Sequence, residues 1–94
     1  MARPAQPPKT RRGTPLGEAR PGFCGRLQAI ETGHGTRGVS PAELEARLIE
    51  LGFVEGAYVE VLHEGTFGRD PIAVRVDNAT VALRRREAMA ILVT

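Results

Sequence analysis

Few side chains in this sequence carry reactive chemistry, and their spacing limits what they can do. Cys24 is the single cysteine, and His34 and His63 are the two histidines. One thiol can form neither an internal disulfide nor a thiolate metal cluster within one chain. Cys24, His63 and Asp70 are the residues that could converge on a metal ion. None of them stands in the C-x-x-C or H-x-x-x-H spacing by which local geometry presents two ligands together, so no metal and no cofactor is expected. No nucleophile, base and orienting group are spaced for mutual reach, and the chain is not expected to be an enzyme. The glycine-rich stretch 31–39 (ETGHGTRGV) lacks the lysine of a phosphate-cradling loop. The remaining candidate is the cationic run Arg84, Arg85 and Arg86. Three adjacent cations can bind phosphate or supply a finger to a partner's nucleotide site; the plainer reading is a solvated turn with Glu87 as counter-charge.

These groups sit on a short chain of 94 residues, enough for one small domain with a thin core. The sequence pI of 9.3 hints at nucleic acid until the charges are mapped. Residues 1–13 hold Arg3, Lys9, Arg11 and Arg12 and no acid. From Thr14 onward acidic residues outnumber basic ones, so the basicity belongs to the tail and nucleic-acid binding is not expected. Aromatics are scarce and tryptophan is absent, which argues against a base-stacking platform. The single thiol and the absence of an apolar run long enough to span a bilayer fit a cytoplasmic protein without membrane insertion. Residues 1–13 read as a disordered, proline-rich basic tail and 14–94 as the folded domain.

Within the domain, Phe23–Ile30 reads as a first strand, with Gly25 marking a bulge or a close backbone approach. Ser40, Pro41 and Glu43 form a helix-start signature, with a capping serine, proline at the first helical position and glutamate three residues after the cap. Leu44, Leu48 and Leu51 then recur on one face, and Gly52 and Phe53 supply the stop, which predicts a helix over 41–51. Tyr58–Glu64 alternates, with Val59, Val61 and His63 assigned to one face. Glu64–Pro71 (EGTFGRDP) reads as an ordered turn region. Ile72–Val76 and Ala79–Leu83 form a hairpin about Asp77 and Asn78, a turn of helix at 84–88 reverses the chain, and Met89–Val93 ends it. Five short strands with one inserted helix predict a mainly β fold, a small closed barrel.

The residues that fill these elements resemble the ferrous iron transport protein A (FeoA) family. The resemblance lies in RLIELGFVEGAYVEVLHEG (47–65) and FGRDPIAVRVDNATVALRRREAMAILV (67–93), with TPLGEARPGFCGRLQAI (14–30) similar to the family's opening. One departure is Thr66, where the family often has proline. The resemblance implies an SH3-like barrel and a cytoplasmic, non-enzymatic accessory subunit of ferrous iron uptake. Its implied partner is FeoB, the membrane transporter with a GTP-binding domain, met through cytoplasmic regions; weak self-association is also compatible. Leu44, Phe53 and Phe67 are expected contacts beside the helix and the 64–71 loop, provided they are not wholly buried, and Arg84 and Arg85 join them as partner-facing cations.

Two other classes compete. SH3-like domains also follow the DNA-binding part of metal-dependent repressors, but the residues ahead of Thr14 leave no room for a helix-turn-helix. A peptide-binding adaptor is the other, prompted by Pro4-x-x-Pro7, although the aromatic groove such domains use is missing.

Overall fold

The structure, a computed structural model, describes residues 13–33 and 38–94. The expected disorder of residues 1–13, Gly13 apart, and the role of His34 lie outside the described residues.

Six strands form one antiparallel sheet. They are β1 (Thr14–Pro15), β2 (Cys24–Ile30), β3 (Tyr58–Glu64), β4 (Ile72–Val76), β5 (Ala79–Leu83) and β6 (Ile91–Val93). The order across the sheet is β1-β6-β2-β3-β4-β5. Two helices, α1 (Pro41–Glu50) and α2 (Arg85–Ala88), and a 3-10 turn (Leu16–Glu18) complete the chain. The sheet therefore has one strand more than the sequence predicts. Thr14–Pro15 is too short to signal itself and exists because β6 pairs with it, Thr14 opposite Val93. In this order β1 and β5 stand at the two ends, and α2 links β5 to β6.

The chemistry of its two ends fixes α1. Ser40 Oγ accepts from the Glu43 amide at 3.1 Å, and the Glu43 carboxylate accepts from the Ser40 amide at 3.3 Å, so two of the helix's orphan donors are satisfied reciprocally. At the far end the Phe53 amide reaches the Leu48 carbonyl and the Gly52 amide the Ile49 carbonyl. That stop needs a left-handed residue, which Gly52 supplies at φ 108°. It also turns the Phe53 ring inward beside Leu44 and Leu48, where all three are core. Each such side chain contributes roughly 1.5–3 kcal/mol by leaving water.

β2 serves both halves of the sheet. Its first residues pair with β3 and its last with β6, with a register shift between Leu27 and Ala29. The close approach expected at Gly25 is present, since a Cβ there would meet the Thr94 carbonyl oxygen. A second register shift, between Val61 and His63, changes one expectation. Leu62 is the extra residue in β3, so His63 does not follow Val59 and Val61 inward and is exposed. The β4–β5 turn forms at Asp77, whose φ is 51°. Its carboxylate accepts from the Tyr58 amide at 3.0 Å, which ties the hairpin to the start of β3. The core gathers valines of β3 and β4, Leu83, Ile91 and Val93, together with Leu16 from the 3-10 turn.

Candidate partner-binding surface

The loop between β3 and β4 is short and strongly tied. At its base the Gly65 amide donates to the Pro71 carbonyl at 2.9 Å. Arg69, at φ 61°, turns its guanidinium back to Glu64 at 3.3 Å. Asp70 accepts from the Arg85 amide at 2.8 Å and so docks the loop on α2. The Arg85 side chain, only 13% exposed, binds the whole region together. It donates to the carbonyls of Arg69 (2.7 Å), Gly17 (3.1 Å) and Ala19 (2.7 Å), and to the Glu64 carboxylate (2.7 Å). One planar cation with several donors in fixed directions thus joins the β3–β4 loop, α2 and the 3-10 turn. From this held loop Phe67 projects with 89% of its surface exposed.

The expected contact residues separate into two groups. Leu44 is 1% exposed and Phe53 fully buried, so the condition attached to them fails and they belong to the core. The reason is the helix stop, which points Phe53 at Leu48 and the sheet. Phe67 alone of the three is at the surface. The arginine run separates likewise. Arg85 is committed to internal partners, whereas Arg84 and Arg86 are exposed and form no ion pair among the described residues. Glu87, expected as counter-charge to the run, instead receives the Arg84 amide at 3.0 Å and pairs with Arg47 of α1 at 2.7 Å.

A groove lies between α1 and β2. It encloses about 290 Å³, and no residue of the 64–71 loop lines it. Leu27, Ile30 and Phe53 contribute its apolar lining, with Ile49 and Val54 half-exposed at its wall and Glu45 and Glu55 also lining it.

Among the described residues no group of three His, Cys, Asp or Glu side chains is placed to hold a metal ion. Cys24 is exposed opposite Glu60, and Asp70 is engaged by Arg85. Beside Cys24 lies a small polar patch in which the Tyr58 hydroxyl donates to Glu60 at 2.9 Å and the Arg26 guanidinium sits 5.8 Å from the Tyr58 ring centre. The Tyr58 hydroxyl is pushed up to about 12, chiefly by its hydrogen bond to the Glu60 carboxylate and further by the neighbouring Cys24. The folded state therefore holds this proton more tightly than the unfolded chain. The resulting stabilisation is present below pH about 10 and is lost as pH rises from about 10 to about 12. Tyr58 is the only tyrosine and tryptophan is absent, so an ultraviolet phenolate titration reads this group alone. The midpoint is expected near 12, and Glu60→Ala is expected to lower it toward the ordinary tyrosine value.

A family model described as the FeoA domain matches residues 14–94. No curated protein sequence matches significantly. Among solved structures, the chain is similar to Stenotrophomonas maltophilia FeoA complexed with zinc, described as a procaryotic SH3 domain protein and a candidate activating factor of bacterial ferrous iron transport. The two share 29% identity at a TM-score of 0.66, over 84% of this chain and 87% of that one. FeoA from Chlorobium tepidum gives 31% identity and a TM-score of 0.67, over 85% of this chain and 68% of that one. A manganese-dependent transcriptional repressor gives 26% identity and a TM-score of 0.70, covering 87% of this chain but only 41% of the repressor.

Proposed function

The chain belongs to the FeoA domain family, and on that premise we propose that it is a non-enzymatic accessory subunit of bacterial ferrous iron uptake, acting in the cytoplasm by contact with a FeoB-type transporter. The fold is the SH3-like one of its FeoA neighbours and is shared with the repressor domain. Among the described residues no helix is long and apolar enough to cross a membrane, so the proposed route to the transporter is through its cytoplasmic regions, the GTP-binding domain included.

The observation that carries this reading is Phe67. An exposed aromatic on a loop fixed by Arg69, Asp70 and Arg85 is pre-ordered, so seating it in a partner's pocket loses little conformational freedom. The guanidinium groups of Arg84 and Arg86, exposed and without an ion pair among the described residues, offer charge to an acidic or phosphate-bearing rim. The repressor kinship supplies no comparable feature for DNA, since the described part of the chain is acidic on balance.

A pull-down with the transporter's cytoplasmic regions tests the reading. Phe67→Asp is expected to abolish capture while leaving the circular dichroism spectrum and unfolding midpoint unchanged, because the side chain it replaces contacts solvent. Undiminished capture by the folded variant removes the loop from the interface.

A further inference from the structure

The groove between β2 and α1 is apolar inside and acidic at its edge, and nothing in the described part of the chain fills it. Ile49 and Val54 expose large apolar surfaces there. Glu45 and Glu55 are both exposed and form no ion pair among the described residues. A ligand that suits such a place has apolar bulk flanked by positive charge.

The same chain carries such a segment. Residues 4–12 read PAQPPKTRR, which contains Pro4, Pro7 and Pro8 followed by Lys9, Arg11 and Arg12 with no acidic residue. Its point of departure is fixed beside the groove. The Gly13 amide donates to Gln28 Oε1 at 2.6 Å, and Gln28 is one of the groove's lining residues. The tail thus leaves the domain in contact with the groove wall, and a short tether of this kind holds it there at an effective concentration on the order of millimolar.

We propose that the basic, proline-rich segment 4–12 docks in cis in the β2–α1 groove, with Pro7 and Pro8 against Ile49 and Val54 and with Lys9, Arg11 and Arg12 facing Glu45 and Glu55. The tail is then an internal ligand that covers the domain's half-exposed apolar wall. Docking of this kind is weakened by salt, because the paired charges are at the surface. It is independent of Phe67, which lies on a loop that does not line the groove.

Paramagnetic broadening in the full chain tests the proposal. A nitroxide is attached at Gln6→Cys in a Cys24→Ser background, and the amide signals of the folded domain are compared before and after the nitroxide is reduced. Signals of Ile30, Ile49 and Val54 are expected to be lost while those of Phe67 and Gly68, on the β3–β4 loop that does not line the groove, are retained. Combining Glu45→Lys with Glu55→Lys, or adding salt at about 0.5 M to shorten electrostatic reach to a few ångströms, is expected to restore the lost signals. A mixture of spin-labelled unenriched chain with isotope-enriched unlabelled chain is expected to show no broadening. Equal effects at Ile49 and Phe67 overturn the proposal, as does broadening in the mixed sample, which would assign the groove to a second copy.

Discussion

Phe53→Ala is expected to destabilise the protein by about 3–5 kcal/mol, the usual result of emptying a fully buried aromatic site. A domain of this size has only roughly 0.05–0.15 kcal/mol of stability per residue to lose. The variant is therefore expected to be largely unfolded or to unfold at much lower urea, as read by circular dichroism. Phe53 is fully buried and packs with Leu44 and Leu48 where α1 meets the sheet, so the cavity touches both layers. Phe67→Ala, at a side chain 89% exposed, is expected to change stability by less than about 0.5 kcal/mol. The contrast separates two phenylalanines that composition alone makes equivalent. If Phe53→Ala were tolerated and lost only partner binding, its assignment to the core would be wrong.

Arg85→Ala is expected to cost about 2–4 kcal/mol, because it strands carbonyl groups that now accept from a charged donor. The Gly17 and Ala19 carbonyls lose their guanidinium partner, and Glu64 keeps only the longer contact to Arg69. The Coulombic part of the Glu64 pair is small, since that carboxylate is 30% exposed. Arg85→Lys is expected to recover only a minor share, because one ammonium cannot reach three carbonyls and a carboxylate at once. The effect is local as well as global. The Gly65 amide, which closes the base of the loop by donating to Pro71, is expected to exchange with solvent faster in either variant. Arg84→Ala and Arg86→Ala, at exposed positions outside this network, are expected to leave both readouts unchanged. If the three alanine variants behaved alike, the distinction between one structural and two exposed arginines would fail.

What could be read from the residues follows the range of the interactions involved. The start and stop of α1 depend on contacts within a few positions, and Ser40, Glu43, Gly52 and Phe53 each do in space what their spacing implies. The Asp77 turn was legible for the same reason. Elements made by distant partners were not. β1 exists only through β6, nearly the whole chain away, and the bulge at Leu62, which turns His63 outward, arises from pairing with β4. The candidate site divides along the same line. Periodicity placed Leu44 on an apolar face without saying whether a partner or the chain's own sheet would meet it. Three consecutive arginines carry no local mark of which one is internal. Only the tertiary arrangement assigns Arg85 to the carbonyls of the 3-10 turn and leaves Phe67 at the surface. The family, by contrast, rests on a pattern spread over residues 14–94.

The proposed contact between the fixed loop bearing Phe67 and the transporter can be trapped covalently. Site-specific photocrosslinking addresses it directly. A photoreactive phenylalanine analogue is placed at position 67, or at position 78 on the β4–β5 turn as a control, and the protein is irradiated with membranes containing the FeoB-type transporter. A covalent adduct with the transporter is expected from position 67 and none from position 78; an adduct from position 78 with none from position 67 would contradict the proposed contact.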